Sequence, residues 1–480
     1  MSGAADEGGV HLYSTISKRK EPLVPDAEGT VGIYVCGPTV YGRIHIGNAR
    51  PFVVFSVLKR FLERRGVRVR LVSNLTDVND KIYTAAAAEG VPSAELARRY
   101  SDAYIADTDR LGLGRPDVEP RVTESVPGII ALIEELMQRG LAYAAGGDVY
   151  YRVERFPGYG RLSGRRLEDM VSGEPATGAA KESHLDFALW KGRKPDEDTW
   201  WESPWGPGRP GWHIECSAMA EEALGRGFQV HGGGIDLIFP HHENEIAQSE
   251  GAHGGCMAQI WMHNEMLELG DEKMSKSLGN IAPLADVLDR WPAEVVIAYF
   301  LTSHYRSKLP FSDERLGEAR AVVERLTNAL KAIDRAMATG GEGHDADLTR
   351  AIVDGRREFF RALDDDFGTP EAFAALFEMV RGINRATTAG EASPAQLREA
   401  RHELLDLLDV LGLAGIDPGP AAEVPAEVLS LLDDRERARA ARDFAGADAL
   451  RDRIRALGYE VTDGPGGPQA TPIAPEAGSA

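Results

Sequence analysis

Only three cysteines, Cys36, Cys216 and Cys256, occur in 480 residues. So few argue against a disulfide framework and make metal binding or catalysis the informative reading of any cysteine that is used. No apolar run approaches the ~20 residues of a bilayer span; the longest surrounds Val295–Leu301. The opening MSGAADEGG lacks the basic stretch and apolar core of a secretory signal, so no membrane association and a cytoplasmic location are expected. Basic residues are outnumbered 54 to 75, a net charge of −21, which argues against a non-specific nucleic-acid binder with a broad basic surface. A specific RNA partner stays open. Local basic stretches exist at Lys59–Arg70 and Arg435–Arg455, and each reads equally well as a solvated helix face. No internal repeat and no CxxC pair is present.

What is present is an ordinary globular composition, 43% hydrophobic and 27% charged, long enough for two to four domains of about 100–200 residues. Val31–Val35 is a short apolar run entering a Gly-Pro turn, the pattern of a buried strand. Pro51 suits a first helical turn. Behind it Val54, Val57, Leu58, Phe61 and Leu62 mark one helix face, which Gly66 is placed to end. Val67–Val72 reads as a second strand, so the unit is βαβ and the sheet parallel. Strand-like segments return at Phe228–His231 and Gln259–Leu269.

The expected class is α/β, a catalytic domain over 11–114 and 210–270 split by a connective insertion at 115–209. A loop region at 271–312, a helix bundle at 313–413 and a small unit at 426–463 follow. Residues 1–10 and 464–480 are expected to be disordered.

Two motifs flank this sheet. Gly37-Pro38-Thr39-Val40-Tyr41-Gly42-Arg43-Ile44-His45-Ile46-Gly47-Asn48 joins the first strand to the first helix. Its small residues permit close backbone approach to a ligand, and the helix start offers N–H groups to phosphate. Lys273-Met274-Ser275-Lys276-Ser277-Leu278-Gly279-Asn280 puts two lysines three residues apart in a Gly-ended loop, a cationic clamp for a polyphosphate. A third constellation is Cys36, Cys216, His241 and Glu245, all acceptable zinc ligands, the last two at i and i+4 on one helix. Taken alone, each cysteine reads as well as a small buried hydrophobe; Cys256 has no such company and reads as filler.

The two phosphate motifs resemble the H-I-G-H and K-M-S-K-S signatures of class I aminoacyl-tRNA synthetases. Adding CGPTVY, NLTDVNDKI, RPGWHIECS and HGGGIDLIFPHHENEIAQ, the chain is similar to the cysteinyl-tRNA synthetase family from about His11 to Asp463. The resemblance implies a Rossmann-like catalytic domain and ATP brought with Mg2+. His45, Asn48, Lys273 and Lys276 would be catalytic, and Gly37, Thr39, His45, Gly47, Asn48 and Lys276 would bind ATP. It further implies zinc on Cys36, Cys216, His241 and Glu245, and a cysteine pocket of Cys36, Thr76, Trp212 and Asp236.

The partners implied are L-cysteine and tRNA(Cys), with anticodon-stem binding by the bundle and anticodon recognition by the final unit; the family implies a monomer. Asn48 replaces the signature's last histidine, so that position donates hydrogen bonds but does not titrate. A thiophilic metal suits the task, because an organic pocket separates near-isosteres such as cysteine and serine by only about 100-fold. The same zinc and nucleotide motifs occur in the ligase of mycothiol biosynthesis, which joins cysteine to a glucosaminyl-inositol amine. Residues Leu429–Asp463 distinguish this chain from that shortened relative, although the aromatic ending expected after the Asp-Gly-Pro turn is missing. A non-catalytic RNA-binding paralogue is the remaining class.

Overall fold

The computed structural model describes residues 9–170, 181–269, 272–273, 282–339, 341–417, 419, 425–464 and 467–472. The chain divides into two compact units after Asp417. At the heart of the first is a parallel four-stranded sheet. β1 (Thr30–Val35) leads into helix α1 (Ile46–Arg64) and β2 (Arg68–Ser73). After the insertion come α2 (Trp212–Leu224), β3 (Phe228–Gly234), α3 (Glu243–His253) and β4 (Ala258–Asn264). The spatial order is β4-β3-β1-β2, every neighbouring pair parallel.

The chain thus starts mid-sheet, steps one way to β2, then crosses to β3 on the other side. Such a reversal leaves a crevice at the carboxyl ends of the two central strands, where open α/β sheets bind ligands. Side chains alternate across the sheet with period two. Ile33 and Val35 join the core that contains α1, while Tyr34 joins the core containing Ile214 of α2 and Ile246 of α3.

One local expectation is corrected. Helix α1 begins at Ile46, so Pro51 lies inside it and not in its first turn. The reason is capping: Asn48 Oδ1 accepts the N–H of extended His45 at 3.2 Å and starts the helix early. Pro51 has no N–H to give the Gly47 carbonyl, and that missing bond falls beside the crevice. Gly66 (φ +81°) follows the helix end as expected.

The insertion contributes helix Val122–Gln138 and an antiparallel sheet of Ala142–Ala145, Asp148–Tyr151, Phe187–Gly192 and Gly208–Pro210. Its last strand runs straight into α2. At the junction a Cβ on Gly211 would lie 2.1 Å from the Ala188 carbonyl oxygen, so only glycine fits. Helices Asp313–Thr339, Ala346–Asp364, Thr369–Ala389 and Pro394–Val410 form the helical part.

The second unit holds helices Ala426–Ala440 and Phe444–Ala456 and a hairpin of Tyr459–Gly464 with Gly467–Pro472. The expected tail therefore does not begin at 464. Val461 pairs with Ala470 and both are buried with Ile454, because two-residue alternation lets small residues face this core despite the Pro/Gly-rich composition. Among the described residues no helix is long and apolar enough to cross a membrane.

Candidate active site

A cavity of about 390 Å3 opens at the carboxyl ends of β1 and β3. Cys36, Gly37, Thr39, His45, Gly47 and Asn48 all line it, so the structure brings these candidate residues to one place. The loop is pressed onto the segment after β2. Gly37 N–H donates to Asn74 Oδ1 (2.9 Å), Thr76 N–H to the Pro38 carbonyl and Val40 N–H to the Thr76 carbonyl (both 3.1 Å). A Cβ on Gly37 would sit 1.7 Å from the Asn74 carbonyl oxygen, so the approach itself demands glycine. With the Asn48 oxygen occupied in capping, its NH2 group is the end free to donate. In the first turn of α1 the Ile46 N–H already donates to the Ala282 carbonyl and the Asn48 N–H to the His45 carbonyl (both 2.9 Å), so this helix start has fewer donors to give a phosphate than a bare one would.

Next to this loop lies a buried cluster. Ligand atoms of Cys36, Cys216, His241 and Glu245 all fall within 4.8 Å of one another. Cys36 Sγ is 3.5 Å from Glu245 Oε1, and His241 Nε2 is 3.1 Å from the same oxygen. Cys36, His231, His242 and Glu245 meet the same distance criterion. Two thiols and a carboxylate thus converge, and among the described residues no Lys or Arg pairs with them. Burial, with Cys216 and Glu245 alongside, pushes the Cys36 thiol well up from its ordinary range. A divalent cation would reverse that shift by supplying the missing charge, so this donor set fits a metal.

The imidazoles around it form a pattern that sequence reasoning missed except at His241. His241 Nδ1 meets His213 Nδ1 at 3.0 Å, His231 Nε2 meets Glu245 Oε2 at 2.8 Å, and His242 Nδ1 meets His263 Nε2 at 2.8 Å. Burial lowers His213 and His263 to about 3 and His241 and His242 well below the usual range. Those four rings are therefore neutral at pH 7, as ligands and their supports require. For His213, His231 and His242 the only sequence signal was the recurrence of histidine inside the motifs already singled out; His263 lies outside them and carried none.

Trp212, Asp236 and Cys36 border the cavity, and Trp212 stacks on His241 with ring centroids 4.3 Å apart. Thr76 is placed differently. It is buried and its hydroxyl donates to Glu215 Oε2 at 3.1 Å, while Asn74 Nδ2 donates to the hydroxyl at 3.2 Å. Glu215, also unforeseen, is 1% exposed and burial drives its carboxyl well above the carboxylate range. Lys273 lies in the short strand Glu272–Lys273, which pairs with Glu268 and Leu269; Lys276 lies outside the described residues.

Comparison with known proteins agrees along the whole chain. Residues 22–321 match the family model "tRNA synthetases class I (C) catalytic domain", 358–415 the "DALR domain", and 421–469 the "Cysteinyl-tRNA ligase anticodon binding domain". A cysteine–tRNA ligase of Desulfitobacterium hafniense is 45% identical, the match covering 96% of this chain and 99% of that one. One from Stutzerimonas stutzeri is 46% identical over 95% and 98%. The fold is similar to the Mycobacterium tuberculosis methionyl-tRNA synthetase in complex with methionyl-adenylate (TM-score 0.59, 18% identity, 87% of this chain and 96% of that one). It is likewise similar to an Agrobacterium radiobacter LeuRS (TM-score 0.60, 12% identity, 83% and 87%). Read with the thiol-rich cluster beside the first phosphate motif, these matches make the chain a member of the cysteine–tRNA ligase family of class I aminoacyl-tRNA synthetases.

Proposed function

We propose that this chain activates L-cysteine with ATP, giving cysteinyl-adenylate and pyrophosphate, and transfers cysteine to the terminal ribose of tRNA(Cys). The observation that carries this reading is the position of Cys36, which directly follows β1, belongs to the metal-competent cluster and begins the loop lining the cavity. A substrate thiol held there keeps its carboxylate within reach of an α-phosphate on the Gly37–Asn48 loop. Zinc is assigned to Cys36, Cys216, His241 and Glu245. His241 fits because one ring nitrogen faces Glu245 while the other is held by His213, and His231 is the outer partner of Glu245. A bound zinc ion supplies a soft Lewis acid that takes a thiol far better than a hydroxyl at neutral pH.

The candidate residues then divide the work. His45 and the Asn48 side-chain amide offset charge on the phosphates, and Mg2+ enters with ATP. Trp212 and Asp236 bound the amino-acid end, Thr76 supports the loop from behind, and Lys273 and Lys276 supply the positive charge that the departing pyrophosphate needs.

Cysteine-dependent ATP–pyrophosphate exchange tests the first half-reaction; its absence from metal-loaded protein would sink the reading. Cysteine transfer to tRNA, compared with transfer to an amino sugar, tests the second. The anticodon-domain match at 421–469 favours tRNA, since an amino-sugar acceptor has no anticodon to read. Removing residues 418–480 is expected to leave exchange within about twofold and to weaken tRNA charging at least about tenfold, some 1.4 kcal/mol. Unchanged charging would reject the role of the final unit.

A further inference from the structure

Arg50 is fully buried on α1, two residues beyond Asn48. No carboxylate pairs with it among the described residues. Its guanidinium instead donates to four backbone carbonyls: Nη1 to Glu265 (2.7 Å) and Met266 (3.4 Å), Nη2 to His304 (3.1 Å) and Ser307 (2.8 Å). A planar fork of donors is the side chain able to span two strands of backbone in this way. Asn264–Leu267 form one wall of the nucleotide cavity, and Gly47, Asn48 and Pro51 of α1 form another. A Cβ on Gly47 would come within 3.9 Å of Leu267 Cδ1, so a small shift of either wall changes the space for a ligand.

The 304–307 segment is held in turn by Asp366, in the turn between helices Ala346–Asp364 and Thr369–Ala389. Asp366 (φ +62°) and Phe367 (φ +52°) both lie in the left-handed region that non-glycine residues avoid. The Asp366 carboxylate is 1% exposed and accepts from Tyr13 N–H (2.8 Å), Tyr305 O–H (2.6 Å) and Arg306 Nε–H (2.9 Å). Its carbonyl accepts from His304 Nε2 at 3.1 Å, and its N–H donates to the His11 carbonyl at 2.8 Å. So many bonds to one residue account for a backbone conformation that would otherwise relax.

We propose that Asp366 and Arg50 are coupled positioning residues for adenylate formation: the interhelical turn fixes residues 304–307, which through Arg50 set the 264–267 wall against the first turn of α1. The helical part of the enzyme thereby shapes the ATP cavity. Neither side chain lines that cavity, so both act through others. This inference rests on the reading of the cavity as the ATP site.

The test measures KM for ATP and for cysteine in pyrophosphate exchange for the full-length protein, Arg50→Lys, Asp366→Asn and the double variant, with thermal melting alongside. Arg50→Lys is expected to raise KM for ATP about tenfold and Asp366→Asn about fivefold, with KM for cysteine within about twofold. In the double variant the rise should fall well short of the product of the two, the mark of residues that share a partner. Tyr305→Phe, which removes one hydroxyl donor, should shift KM for ATP in the same direction and supports the relay even where Asp366→Asn does not fold. Equal losses for ATP and cysteine, unchanged KM for ATP in folded variants, or a fully multiplicative double variant would each overturn the relay. Failure of the unmodified enzyme to exchange would instead strike the parent reading.

Discussion

Replacing Cys216 with serine is expected to lower kcat/KM for cysteine in pyrophosphate exchange at least about 100-fold, since even outer-shell changes at metal sites cost about 10- to 100-fold. ATP binding, measured directly with a non-hydrolysable analogue, should stay within about threefold. The exchange of S for O barely alters volume, and Cys216 is buried on a helix held by its neighbours, so the fold is expected to persist. What changes is donor softness and acidity: a serine hydroxyl is neither a good soft-metal ligand nor deprotonated near neutral pH. Metal content by atomic absorption should fall with activity. Loss of ATP and cysteine binding in equal measure would make the metal structural, and full metal retention with unchanged activation would remove Cys216 from the ligand set.

Lys276→Ala is expected to slow single-turnover adenylate formation about 100- to 1,000-fold, the range seen when one charge-stabilising group is removed, with KM for cysteine nearly unchanged. The pairing of Glu272–Lys273 with Glu268–Leu269 continues directly from Leu267 in the cavity wall, so the second motif starts beside the cavity proposed to hold ATP. A cation there acts on charge that grows on the leaving pyrophosphate, and such an interaction lowers the barrier more than it aids ground-state binding. A large fall in cysteine affinity with an unchanged adenylation rate would contradict that role.

Much of the site is legible in one dimension because its parts are contiguous. The Gly37–Asn48 loop is one stretch of chain whose glycines, capping residues and following helix suit a phosphate site, and all of its members except the buried Val40 and Ile46 line the cavity. The α1 boundary was less legible, because Pro51 outweighs a histidine–asparagine capping pair as a local signal. The end of the second unit was less legible still. Pro/Gly-rich composition masks a hairpin that exists only because Val461 and Ala470 share a core with Ile454.

The sequence by itself determined the βαβ periodicity, the order and content of the two phosphate motifs, and the four residue types able to hold a metal. Those follow from local spacing, capping and side-chain chemistry, which a linear chain displays. The tertiary structure decided which of them meet. Cys36 and Cys216 converge because α2 packs on the face of β1 that carries Tyr34, and the supporting histidines come from α2, β3, β4 and the turn before α3. Glu215, Arg50 and Asp366 carried no signal, since each takes its meaning from partners on distant elements. Periodicity reports the face on which a side chain lies; only packing reports what stands opposite.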